Sequence, residues 1–156
     1  MKRLYMLEAG TSKAHKEISE HFRAGYYFNA FDQAMTALID YPEDIALKHV
    51  AVLSLLRGGT LEAAEKLFNE FNLQGESHED ILALSGRLVK GQIEALGKKA
   101  GLDIYAKAAV LYEKTYKLAR GSYSGVNAAS LWYMAGDKAR AEKIATEILQ
   151  DDVSAE

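Results

Sequence analysis

One arrangement of small, apolar and polar positions returns four times along the chain. It runs Asn29-x-Phe31-x-x-Ala34-x-x-x-Leu38, then Gly59-x-Leu61-x-x-Ala64-x-x-x-Phe68, then Asp103-x-Tyr105-x-x-Ala108-x-x-x-Tyr112. The fourth copy, Gly136-x-Lys138-x-x-Ala141-x-x-x-Ala145, keeps the turn residue and the alanine but not the large apolar side chains. Positions three and seven residues apart fall on one face of a helix, so each copy reads as an amphipathic helix with an alanine in its buried stripe. An alanine there lets two helix backbones approach closely. The aligned alanines are 30, 44 and 33 residues apart, against roughly 34 for a tetratricopeptide repeat.

A second amphipathic stretch precedes each copy, most clearly Ile45 to Leu56 behind Pro42-Glu43-Asp44. Proline and acids at that point suit the start of a helix, where φ is already helical and the dipole is positive. Glycines fall between the periodic stretches, at 58–59, 75, 97, 101, 121 and 136, as turns would. The pattern predicts an all-α, tetratricopeptide-like superhelix of about eight antiparallel helices in four pairs. They are placed at 13–24 and 28–40, 44–57 and 60–73, 78–96 and 102–119, and 123–135 and 138–149. Ser77 with Asp80 three positions on reads as a capping box for the fifth. The implied organisation is an N-terminal tail over 1–10, a helical-repeat domain over 11–150 and a C-terminal tail over 151–156.

Composition narrows the classes of function. With 49% apolar and 26% charged residues in 156, the chain has the make-up of a folded domain, and its single proline leaves helices free to run. There is no cysteine, which excludes disulfides, zinc-thiolate sites and cysteine nucleophiles. A net charge of −3 gives no global attraction for nucleic acid or an anionic membrane. No apolar run approaches the ~20 residues of a membrane helix, and the start of the chain lacks a secretory apolar region. The expectation is a cytoplasmic protein.

The order of residues in the second half resembles a known family. Asp80-Ile81-Leu82-Ala83-Leu84-Ser85-Gly86-Arg87-Leu88-Val89-Lys90 is followed by Ala109-Val110-Leu111-Tyr112-Glu113-Lys114, by Tyr123-Ser124-Gly125-Val126-Asn127-Ala128-Ala129 and by Ala135-Gly136. This looks like the tetratricopeptide-like regulatory domain of the apoptosis signal-regulating kinases, named there for binding tumour-necrosis-factor-receptor-associated factors; bacterial proteins carry similar domains. The likeness covers about residues 40–150, and Gly-Arg-x-x-Lys and Ser-Gly-x-Asn-x-Ala are its most specific pieces. It implies a helical-repeat interaction domain, with kinase regulation in the eukaryotic members. The identity of the partner does not transfer. The kinase motifs themselves are missing from the sequence.

Candidate chemistry is sparse. His15 and His21 are six apart, on different helical faces, and there is no His-x-x-x-His, so no metal ligand set is expected. Gly121-Ser122-Tyr123-Ser124-Gly125 lacks the closing Gly-Lys-Ser/Thr of a phosphate loop and reads as a glycine-rich turn. The expectation is a protein with no catalytic residues, no metal and no cofactor.

Binding is the better prospect. In stacked repeats the first helix of each pair lines a concave groove. Registering the helices on Gly86 and Ala129 places Arg23, Tyr26, His49, Arg87, Lys90, Tyr123, Ser130 and Tyr133 toward that groove. Its formal charges are positive, whereas acids gather on the second helices, at Glu62, Glu65, Glu70, Glu113, Glu142 and Glu147. The expected partner is a protein or acidic peptide, held by charge-assisted bonds from arginine and lysine and by rigid tyrosine contacts. Asn127 is expected to bond a backbone group one turn back, and Trp132 and Phe68 to pack in the core. Two other readings stay open: a self-associating structural domain, forming a homodimer through apolar ends, and a sensor of a small anionic ligand. The apolar segment Leu4-Tyr5-Met6-Leu7 is a candidate to fold back onto the first repeat.

Overall fold

A computed structural model describes residues 12–155, in which eight α-helices account for the regular structure apart from two single turns of 3-10 helix. Among the described residues there is no strand, and the fold is an all-α, tetratricopeptide-like helical repeat. The tail over 1–10 and the Leu4–Leu7 segment lie outside the described residues. The rest divides into two compact units meeting at Gly75 and Glu76, where the sequence had suggested one repeat domain.

The first unit holds α1 (Ser12–Arg23), α2 (Tyr27–Asp40), α3 (Ile45–Arg57) and α4 (Leu61–Glu70), each packed on the next. Helix α2 turns Ala30, Ala34 and Leu38 inward at helical spacing. Helix α3 is buried nearly all round, from Ala46 to Leu55, which is what a helix covered by α2 on one side and α4 on the other requires. Its start is fixed by Asp44, whose carboxylate accepts from the Leu47 backbone N–H at 3.0 Å. Such a cap contributes about 1 kcal/mol. Helix α4 stops at Glu70, three residues short of its predicted end: Asn72 takes a positive φ of 53° and a 3-10 turn, Leu73–Gly75, buries Leu73.

The second unit holds α5 (Glu79–Leu96), α6 (Leu102–Ala119), α7 (Ser122–Met134) and α8 (Lys138–Ser154), again each packed on its neighbour. Its core joins Val89 of α5, Ala108, Tyr112 and Tyr116 of α6, Ala128, Leu131 and Trp132 of α7, and Ala141, Ile144 and Ile148 of α8. All four aligned alanines, 34, 64, 108 and 141, are buried at helix contacts, as are Phe68 and Trp132. The α5 start differs from expectation. Its cap is His78, whose Nδ1 accepts from the Asp80 N–H at 3.3 Å, and not Ser77. Helix α8 runs five residues past its predicted end, so most of the expected C-terminal tail is helical. Asp151 explains the extension: it is tied to Arg120 and Tyr116 of α6.

Candidate functional site

The predicted groove residues fare differently in the two units. In the first, Arg23 and Tyr26 are exposed at the end of α1 and the entry to α2, with the Tyr26 ring edge-on to His21 at 6.3 Å. His21 itself bonds Gln33 at 2.9 Å. His49 requires a correction. It is only 8% exposed, packed within α3 and not offered on a surface. The reason is tertiary: α3 is the central helix of its unit, so positions that would face a groove in an outer helix are covered. An open cavity of 530 Å³ between α1 and α2 has Glu17, Asp32 and Asp40 against Lys13 in its lining, the wrong charge for an acidic partner.

The second unit brings its candidates together. Tyr123, Val126, Ser130 and Tyr133 lie on one exposed strip of α7. Across from them on α5, Arg87 sits over the Tyr123 ring at 5.8 Å, and Lys90 donates to the Asn127 side-chain carbonyl at 2.9 Å. Asn127 in turn donates from Nδ2 to the Tyr123 carbonyl at 2.8 Å, the expected bond to the preceding turn. Lys138 extends the pattern, 5.6 Å from the Tyr133 ring. Cations over tyrosine faces recur along the strip.

The charges on this strip are not neutralised within the fold. Ion pairs among the described residues take their lysines and arginines from Lys48, Lys66, Lys117, Arg120 and Arg140. Arg87 and Lys90 enter none of them. Glu113, Glu147 and Asp151 of the unit are engaged elsewhere. Glu113, read from sequence as one of the acids of the second helices, is buried, accepting from Trp132 Nε1 at 2.8 Å with Lys117 at 3.0 Å and Arg140 at 3.7 Å. Burial pushes its carboxyl up, but the Lys117 and Trp132 hydrogen bonds and the two positive charges more than cancel that and hold it below the ordinary value.

Beneath Arg87 lies a residue that sequence reasoning assigned only to packing. Tyr112 is fully buried, and its ring lies so close to α5 that a Cβ on Gly86 would come within 2.8 Å of it. The Lys90 ammonium is 5.8 Å from the same ring. The Tyr112 hydroxyl stands beside Arg87 and Tyr123, yet neither it nor Arg87 Nε has a hydrogen bond of acceptable geometry. Burial and the nearby Tyr123 push the Tyr112 phenol up to about 12, so it stays neutral and able to donate. The only hint in the sequence is the aromatic position of the third repeat, which names a core residue and says nothing of where its oxygen points.

Together these features describe a tetratricopeptide-type helical repeat with a basic, tyrosine-bearing face on its second unit. The chain belongs to the Tetratricopeptide Repeats-Sensor family, TPR-S, which matches residues 27–132. No curated protein and no solved structure matches it. Tetratricopeptide domains generally mediate protein–protein interaction. No helix among the described residues is long and apolar enough to cross a membrane.

Proposed function

We propose that the chain is a cytoplasmic interaction module that binds an acidic peptide or an acidic surface of a protein partner along α5 and α7, without catalysing a reaction. The observation that carries this is the pairing of Arg87 and Lys90 with tyrosines and an asparagine in place of carboxylates. Guanidinium and ammonium groups left without an internal counter-charge form strong charge-assisted bonds to an incoming anion. The exposed tyrosines Tyr123 and Tyr133 add contact area at low entropic cost.

Of the Gly86-Arg87-x-x-Lys90 and Ser124-Gly125-x-Asn127 pieces that resemble the regulatory domain of the apoptosis signal-regulating kinases, Arg87, Lys90 and Asn127 lie on this same face, while Gly86, Ser124 and Gly125 are buried in the packing behind it. That supports a role as the docking part of a signalling or defence assembly. A second reading, a sensor of a small anionic ligand, is favoured by the buried unpaired donors of Arg87 and Tyr112 and by the word sensor in the family's description.

The test is capture of partners from lysate by the wild type and by Arg87→Glu/Lys90→Glu, with circular dichroism confirming that both are folded. A partner held by the wild type and lost by the variant is the expected result. Retention of the same partner by both would move the binding surface away from α5.

A further inference from the structure

We propose that the place where α5, α6 and α7 meet beneath Tyr123 is a seat for a single oxyanion, whose oxygens accept hydrogen bonds from Arg87 Nε and the Tyr112 hydroxyl while Lys90 adds charge at its edge. The inference rests on the basic face described above and specifies what that face recognises: one compact group inserted end-on, not acidity spread along a peptide.

Two buried donors without acceptors carry the argument. A buried polar atom with no hydrogen bond is costly, and a fold that keeps two of them side by side is keeping them for a partner. Both groups can donate there: the Arg87 guanidinium has no lone pair to offer, and the neutral Tyr112 phenol keeps a proton to give, although its oxygen can also accept. A ligand that satisfies both at once offers acceptors, two oxygens on one centre for two neighbouring donors. Carboxylate and phosphoryl groups share that chemistry. Charge favours the phosphoryl group, since Arg87 and Lys90 together offer two positive charges that a single carboxylate would only half balance. The way in is at Tyr123, which is 57% exposed and stands over Arg87 at the first turn of α7.

The placement of the phenol is enforced by the backbone. Gly86 admits the Tyr112 ring against α5, one position before Arg87. Any larger residue at 86 would push the ring, and its hydroxyl, away from the guanidinium.

The experiment is a titration of the full chain, labelled with nitrogen-15, with inorganic phosphate and separately with acetate at constant ionic strength. The Arg87 Nε–H resonance reports directly on the seat. A saturable shift of that resonance is expected, at lower concentration with phosphate than with acetate; the reverse order would assign the seat to a carboxylate. Tyr112→Phe removes one oxygen and nothing else. It should bind phosphate about tenfold more weakly, the typical loss of one hydrogen bond to a charged group, while melting at the same temperature or higher. That opposite movement of affinity and stability is what a purely structural tyrosine would not give. The seat is overturned if neither anion moves the Arg87 resonance, or if Tyr112→Phe binds phosphate as the wild type does. In either case, loss of a partner by Arg87→Glu/Lys90→Glu would still leave the broader acidic-partner reading intact.

Discussion

At the scale of single residues, the second unit is shaped by glycines that make room for tyrosines. A Cβ on Gly86 would meet Tyr112 at 2.8 Å, and one on Gly125 would meet Ile148 at 2.8 Å and Tyr116 at 3.0 Å. Gly86→Ala must displace the Tyr112 ring from a well-packed core, and overpacking of that kind costs about 1–3 kcal/mol; chemical denaturation would show it as a lowered midpoint with unchanged slope. The buried tyrosines also set an alkaline limit. Burial raises the phenols of Tyr112 and Tyr116 from 10.0 to about 12. Because the folded values lie above the unfolded ones, their contribution is intact below pH ~10 and is lost as pH rises toward ~12. Stability measured across that window should fall, and should fall less in Tyr112→Phe. The repeat pattern placed Tyr112 on the buried stripe and did not single out Tyr116; it carried no information on the direction of either hydroxyl, which depends on how α6 packs against α5 and α8.

At the scale of elements, α8 is fastened to α6 by polar contacts as well as by Ile144 and Ile148. Arg120, in a left-handed conformation at the end of α6, reaches Asp151 at 2.9 Å and Glu147 at 3.6 Å, and the Tyr116 hydroxyl donates to Asp151 at 2.6 Å. Hydrogen bonds from Arg120 and Tyr116 hold the Asp151 carboxyl below its ordinary value. A folded value below the unfolded one means that the contribution is present above the unfolded value and disappears as pH falls through the folded one. Asp151→Asn should therefore weaken the wild type at neutral pH and flatten the acid limb of its stability profile. It should also fray the last turns of α8, read as faster amide exchange from Gln150 onward. The end of this helix was illegible in the sequence for a physical reason: Gln150-Asp151-Asp152 has the composition of a tail, and it is tied down by Arg120 and Tyr116, 31 and 35 residues away in sequence. Glu113 plays a comparable part between α6, α7 and α8. Glu113→Gln, which removes the charge met by Lys117 and Arg140, should cost about 1–2 kcal/mol by denaturant titration.

At the scale of the whole molecule, the division at Gly75 and Glu76 makes each group of four helices a unit with its own core. Residues 76–156 produced alone are expected to be helical and to unfold in one cooperative transition with near-ultraviolet signal from Trp132; a featureless thermal profile would count against an independent core. Sequence by itself determined the class and count of elements, because helical period, the aligned alanines and the glycine breaks are local properties that neighbours along the chain enforce. It also put Arg87 with Lys90 on one face of α5, since fixed spacing on a helix fixes a shared face; that this face meets Tyr123 and Asn127 of α7 was decided by packing. Tertiary structure alone decided that His49 is packed inside while Tyr133 is exposed, that Glu113 is an internal counter-charge, and that the Tyr112 oxygen lies beside Arg87. Those outcomes turn on which helix covers which, and burial of a face depends on atoms that are distant in sequence and absent from any local pattern.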